Sequence, residues 1–162
     1  METPKAQGQW VVIATLVVAF LLRTIPLPGP LAYAAPEWVA LVVIYWVLAL
    51  PYRLGIFFAF VVGLFADAHE GAPLGMHALC FSLLAFMVMV LYQRIRVYPP
   101  VQQAGTVLVM MLLFLFFKFT LRNLFGMPGE APLYLIPAFT SALLWPLIYL
   151  MLRSLRIRFR VK

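Results

Sequence analysis

Long apolar runs broken by short clusters of proline, glycine and charge set the pattern of this chain. The runs and their breakers predict six helices: Trp10 to Leu22, Trp38 to Leu50, Leu54 to Ala66, Leu74 to Tyr92, Val101 to Leu121 and Leu133 to Leu152. Pro26, Pro28, Gly29 and Pro30 end the first; Pro51, Tyr52 and Arg53 make a tight second turn; Asp67, His69, Glu70 and Gly71 form the third. Arg94, Arg96, Pro99 and Pro100 form the fourth break, and Gly126, Pro128, Gly129 and Pro132 the fifth. Breaks this short make sequential helices antiparallel neighbours. Runs such as Val107 to Phe117 are apolar on every face, whereas the strands of a membrane barrel alternate in polarity, so the runs read as buried or lipid-facing helices.

The second and third runs have thirteen residues each and cover only about 20 Å at about 1.5 Å per residue, against a hydrocarbon core of roughly 30 Å. Extending them toward Tyr33 and Asp67, to about 36–50 and 54–67, gives a thin hairpin; a re-entrant pair is the alternative. The expected fold class is all-α integral membrane, a six-transmembrane-helix bundle forming one domain over 1–162 with a basic tail at 153–162.

Composition agrees, because 65% of the residues are apolar and only 10% charged, too few polar groups to cover a soluble domain of this length. The net charge of +7 raises nucleic acid as a partner, but five of the twelve basic residues fall in the last ten positions, where they read as an anchor to anionic lipid. Lys and Arg in short loops stay cytoplasmic. With both termini inside, Lys5, Arg53, Arg94, Arg96, Arg153, Arg156, Arg158, Arg160 and Lys162 are cytoplasmic, and only Arg23, Lys118 and Arg122 lie near the other face. Glu37, Asp67, Glu70 and Glu130 fall outside and Glu2 inside, which independently favours six spans. A cleavable signal peptide ending at Ala32-Tyr33-Ala34 is not expected, since Arg23 and three prolines make a poor approach to cleavage; a mature start at Ala35 would leave five spans.

Lys118 and Arg122 lie one turn apart on one face near the outer end of the fifth helix. A charge at mid-bilayer costs about 2.5 to 3.5 kcal/mol, less toward the ends, so such a residue snorkels or finds a partner. Glu37 starts the second helix and Asp67 ends the third at the same depth, so either is a possible partner. If Asp67 is that partner, exchanging the charges of Asp67 and Lys118 partly restores what Asp67→Ala loses.

No catalytic or metal site is expected. His69, Glu70 and His77 lack a spacing that places two ligands on one helical face, and the single Cys80 has no partner for a disulfide or a CxxC site. His77 is expected to make an interhelical hydrogen bond. Ser82, Thr140 and Ser141 sit on apolar helices without an adjacent base, so their hydroxyls serve packing and backbone hydrogen bonds.

Gly55, Gly63, Gly71 and Gly75 recur at spacings of eight or four, which lets helix backbones approach, with Gly63 the strongest packing position. Trp10 and Trp38 fit interfacial belts, while Trp46 and Trp145 fall deeper and fill interhelical gaps. Pro137 and Pro146 are expected to kink the sixth helix, which beside a short hairpin leaves a groove for a partner's helix or a small ligand.

The run Pro36-Glu37-Trp38, then Ile44-Tyr45-Trp46-Val47-Leu48-Ala49-Leu50-Pro51-Tyr52-Arg53, Gly63-Leu64-Phe65-Ala66-Asp67, Gly71 and Leu74-Gly75 resembles the rod shape-determining MreD family. The Gln7-Gly8-Gln9-Trp10 start, Leu144-Trp145-Pro146 and the basic tail fit as well, so the likeness covers nearly the whole chain. The resemblance implies a non-enzymatic component of the bacterial elongasome, in the inner membrane and without a cofactor. Such proteins bind MreC, whose membrane helix and periplasmic domain link the actin-like MreB filament to a glycosyltransferase and transpeptidase pair making side-wall peptidoglycan. It also implies a fold similar to the six-helix substrate-binding subunits of energy-coupling-factor transporters. Pro51, Arg53, Gly63, Asp67, Gly71 and Gly75 match the recurrent family motif: Pro51 and Arg53 orient the cytoplasmic turn, Gly63 permits close packing and Asp67 anchors the third helix.

Two functions follow. A scaffold binds the MreC helix along an apolar face; a small-molecule-binding subunit of a transporter needs a polar cavity with convergent donors, for which the sequence offers few groups.

Overall fold

The computed structural model describes residues 8–127 and 133–161. Glu2, Lys5, Gln7, Pro128, Gly129, Glu130, Pro132 and Lys162 lie outside the described residues. Six α-helices follow in order: α1 Gln9–Thr24, α2 Trp38–Ala49, α3 Ile56–Glu70, α4 Met76–Ile95, α5 Pro100–Leu124 and α6 Ile136–Arg158. Short 3-10 segments at Gly29–Ala34 and Leu133–Leu135 lead into α2 and α6, and there is no strand among the described residues. Among the described residues four segments are long and apolar enough to cross a membrane: Gly29–Ala49, Met76–Ile95, Pro100–Leu124 and Leu133–Arg158. The shorter apolar α1 accompanies them. These apolar helices fit a membrane protein.

At the centre stands α2. Every residue from Val39 to Leu48 is buried, because α1, α4 and α6 all pack on this one helix. A short helix apolar on all sides is suited to that position, which other helices shield from any solvent. Its turn into α3 is closed by Arg53 and Leu54 N–H groups that both donate to the Leu50 carbonyl, around Pro51. Outside the centre, α3 packs most extensively on α4, and α5 on α6.

Both described chain ends meet at one end of the bundle. The Trp10 ring stands edge-on to Phe159 at 4.9 Å, and Gly8 lies against Val161 and the Phe159 carbonyl. Arg53, Arg96, Arg153 and Arg156 line pockets at this terminal end. Arg23, Glu37, Glu70, Lys118 and Arg122 line a cleft at the far end.

The two deep tryptophans are fully buried, and each is also a hydrogen-bond donor. Trp46 Nε1 donates to Thr15 Oγ1 at 2.9 Å, tying α2 to α1. Trp145 Nε1 donates to Gln103 Oε1 at 3.1 Å, while the Gln103 amide donates to the Ile95 and Tyr98 carbonyls at 3.0 Å each. One buried amide thus joins α6 to α5 and to the α4–α5 turn. Trp145→Phe is expected to leave Gln103 Oε1 unsatisfied and to lower stability by about 1 to 3 kcal/mol, read as a fall in unfolding temperature in detergent. Trp10, by contrast, is 58% exposed.

The expected kink at Pro137 does not arise, because Pro137 falls in the first turn of α6, where the missing N–H has no intrahelical acceptor to lose. Pro146 lies inside α6 and removes one ladder bond, yet the helix runs on to Arg158.

Candidate functional site: a clamped hairpin, an ion-pair cluster and an apolar groove

The α3–α4 hairpin is held by two residues one turn apart on α3. An added Cβ at Gly63 would lie 2.3 Å from Ala78 Cα, 2.6 Å from Ala78 N and 2.7 Å from the His77 carbonyl, so α4 backbone rests directly on the glycine. Four residues on, the buried Asp67 carboxylate caps α4 from outside that helix. It accepts from Gly75 N–H at 2.8 Å, His77 N–H at 2.7 Å and His77 Nδ1 at 2.9 Å. The first-turn N–H groups of a helix have no intrahelical acceptor and carry its positive dipole end, so a carboxylate there is favoured. Gly75 is the N-cap of α4 and has no side chain to do this itself. Gly71 and Gly75 have φ of +63° and +101°, with open space where a Cβ would stand. They are turn glycines rather than close-packing ones, and so is their four-residue spacing.

Beside this hairpin the charges converge. Lys118, 4% exposed, places Nζ 3.0 Å from Glu37 Oε1. Glu37 in turn lies 3.6 Å from Arg23 Nη1, and Arg23 also pairs with Glu70. Glu70 Oε2 is 3.1 Å from His77 Nε2, which connects this chain of charges to Asp67. The Glu37 N–H donates to Ser141 Oγ at 3.0 Å, fixing the start of α2 on α6. Of the two partners open to Lys118 in the sequence, the fold therefore gives it Glu37, since the Asp67 carboxylate is fully engaged by α4. Arg122 lines the same cleft, and its buried Nε has no hydrogen-bond partner among the described residues. The cleft has a volume of about 600 Å³ and is also bordered by His69 and Tyr134. Among the described residues no group of three His, Cys, Asp or Glu side chains converges as a metal site.

Breaking a buried ion pair by removing one partner costs about 3 to 5 kcal/mol, whereas replacing both by apolar or neutral groups can be close to neutral. Glu37→Gln, which strands Lys118, is thus expected to lower the unfolding temperature markedly, and Glu37→Gln with Lys118→Met to recover much of the loss. If the double variant is as unstable as the sum of the singles, the pair is not coupled.

A second concavity lies between α1 and α3. It measures about 720 Å³ and is lined by Ile13, Val17, Phe20, Phe58, Val62 and Phe65, with Ala68 and His69 at its far end. Val17 and Phe65 are 51% and 66% exposed, so large apolar groups are presented outward along its rim.

Trp46 and Trp145 lie in the core, Pro51 and Arg53 at the terminal end and half-buried Pro146 inside α6, none of them lining the far-end cleft. Gln103 and Tyr134 escaped the sequence reading, which placed Arg23 and Glu70 on the outer side without pairing them. Arg23 offered one signal, a lone charge closing an apolar run.

Residues 4–155 match the family model described as rod shape-determining protein MreD. The rod shape-determining protein MreD of Haemophilus influenzae is 32% identical over 153 residues, covering 91% of this chain and 92% of that protein. No solved structure matches. The match takes in α1 to α5, most of α6 and every charged residue of the far-end cluster, so the chain belongs to the MreD family of rod shape-determining proteins, and rod shape determination is the process in which it acts.

Proposed function

We propose that this chain is a non-enzymatic, six-span scaffold of the bacterial inner membrane, a single domain with both termini cytoplasmic, that receives the transmembrane helix of MreC in the groove between α1 and α3. Through MreC it supports the elongasome's side-wall peptidoglycan synthesis, with MreB and the transpeptidase and glycosyltransferase as indirect partners. The observation that carries the reading is the groove itself: apolar, about 720 Å³, and rimmed by outward-facing Val17 and Phe65. In lipid a helix gains little from leaving one apolar surface for another, so association depends on shape-matched packing, which a groove provides and a convex helix face does not.

Several features support the topology. The two described ends lie together at one end of the bundle, as an even number of crossings would leave them. The terminal end carries the arginine-rich turns and tail, and Lys and Arg favour the cytoplasm. At 16 and 15 residues α1 and α3 are short; at about 1.5 Å per residue they suit a locally thinned bilayer. One continuous apolar core drawn from all six helices supports a single domain.

Filling the groove tests the reading. Val17→Trp and Ala68→Trp replace exposed side chains and are expected to leave thermal stability unchanged, while recovery of MreC after gentle detergent extraction falls by roughly tenfold, a loss of about 1.4 kcal/mol in binding. Unchanged recovery would sink the groove as the docking site.

The polar cleft favours a second reading, a subunit that binds a small charged molecule for transport, in keeping with the resemblance to energy-coupling-factor subunits. Its charges are largely neutralised by one another, which weighs against it. Mass spectrometry of the extracted protein separates the two: MreC and the synthase pair retained supports the scaffold, and a stoichiometric small molecule with neither supports transport.

A further inference from the structure

A small pocket at the terminal end is lined by Arg96 just past α4, Arg153 and Arg156 on α6, and Tyr45 and Tyr149. Its volume is about 250 Å³. No ion pair involves any of the three arginines among the described residues, and the described carboxylates Glu37, Asp67 and Glu70 all belong to the far-end cluster. Among the described residues, three guanidinium groups therefore gather with no carboxylate to balance them. Tyr45 supplies a second, independent observation. It is 2% exposed, its ring is fixed edge-on to Trp46 at 5.2 Å and to Tyr149 at 5.7 Å, and its buried Oη, beside the Arg156 guanidinium, has no well-aligned hydrogen bond among the described residues. A guanidinium can only donate, so a phenol beside it accepts and its own O–H is left to donate to a ligand.

Arginine presents a planar fork of donors that matches phosphate oxygens in pairs. The pocket has room for one phosphate and the atoms next to it, and the residues following two of the arginines, Val97 and Ile157, are 81% and 67% exposed. Apolar groups beside a cationic pocket at helix ends suit a molecule with a phosphate at one side and a hydrocarbon chain at the other.

We propose that this pocket is a phosphate-binding site, in which Arg96, Arg153 and Arg156 hold the phosphate oxygens and the Tyr45 hydroxyl donates to one of them, the phosphate being the headgroup of an anionic phospholipid. The site requires only that the terminal end lie at a bilayer surface, and it is independent of what the α1–α3 groove holds.

The test uses the full chain in nanodiscs of phosphatidylcholine, with or without phosphatidylglycerol, reading bound lipid by native mass spectrometry and unfolding temperature. Arg153→Gln with Arg156→Gln is expected to reduce retained phosphatidylglycerol by about tenfold or more, and Tyr45→Phe by about threefold, because a charge-assisted hydrogen bond is stronger than a neutral one. Arg158→Gln with Arg160→Gln removes the same charge outside the pocket and is expected to change retention by less than about twofold. Tyr45→Phe deletes a single oxygen and keeps the test valid should the double arginine variant fold poorly. If inorganic phosphate stabilises the protein in phosphatidylcholine discs and the pocket variant abolishes this, the phosphate site stands and its source is a soluble phosphate. Equal loss of lipid in the pocket and tail variants, or no response to either probe, would overturn the proposal. Recovery of MreC with the pocket variant is expected to be normal, which keeps this outcome separate from that of the groove.

Discussion

Gly63→Ala is expected to destabilise the protein by about 3 kcal/mol or more, at the upper end of what overpacking costs. The new methyl would sit 2.3 to 2.7 Å from three backbone atoms of α4, and backbone cannot swing aside as a flexible side chain can. To relieve the overlap, α3 and α4 must separate along their whole contact, which is the most extensive in the molecule. For a chain of this size the expected fall in unfolding temperature is about 6 to 12 °C. Gly105→Ala provides the control, since nothing lies within 4 Å of its added Cβ and alanine favours a helix interior. Equal behaviour of the two variants in a detergent thermal scan would contradict the close approach at Gly63.

The second large effect is expected at Asp67. Asp67→Ala removes the acceptor from three close donors at the start of α4, the Gly75 and His77 N–H groups and His77 Nδ1, and from the more distant Ala78 N–H at 3.5 Å. Each buried donor left unsatisfied costs about 1 to 3 kcal/mol, so a total near 3 to 5 kcal/mol is expected once partial relaxation is allowed for. Asp67→Asn keeps one acceptor oxygen and the shape, and should lose about 1 to 2 kcal/mol. Exchanging the charges of Asp67 and Lys118 is expected to be worse than either single change, because Lys118 meets Glu37 and a lysine at 67 would point cationic charge at the positive end of α4. Rescue by that exchange, measured by unfolding temperature or by recovery of MreC, would show that Asp67 serves Lys118 after all.

Some of this was legible in the sequence because local signals suffice. Proline and glycine clusters delimit the helices, and a glycine inside an apolar helix announces close approach, as at Gly63. A lysine in an apolar helix snorkels or finds an anion, and the two carboxylates at matching depth narrowed the partners open to Lys118 to Glu37 or Asp67. Choosing between them required the rotation of α2 and α3 about their axes. Helices apolar on nearly every face carry no strong polar stripe to reveal it. For the same reason the buried Gln103–Trp145 link, spanning 42 positions, and the pairing of Arg23 with Glu70 left no local trace. The sequence contains few polar groups for a cavity, yet the fold gathers most of the far-end ones around a single cleft, because α1, α2, α3 and α5 all present their charged termini there. Pro137 was read as a kink because the start of α6 could not be placed to within one turn.

The role in rod shape determination is expected to work through one lateral surface, and a photocrosslinking residue can be placed on it directly. With the crosslinker at Val17 or Phe65, on the rim of the α1–α3 groove, illumination of cell membranes should yield an adduct with MreC; at Leu143 or Leu147, which are 81% and 66% exposed on α6, it should not. Adducts with MreC from the α6 positions and none from the groove would contradict the account.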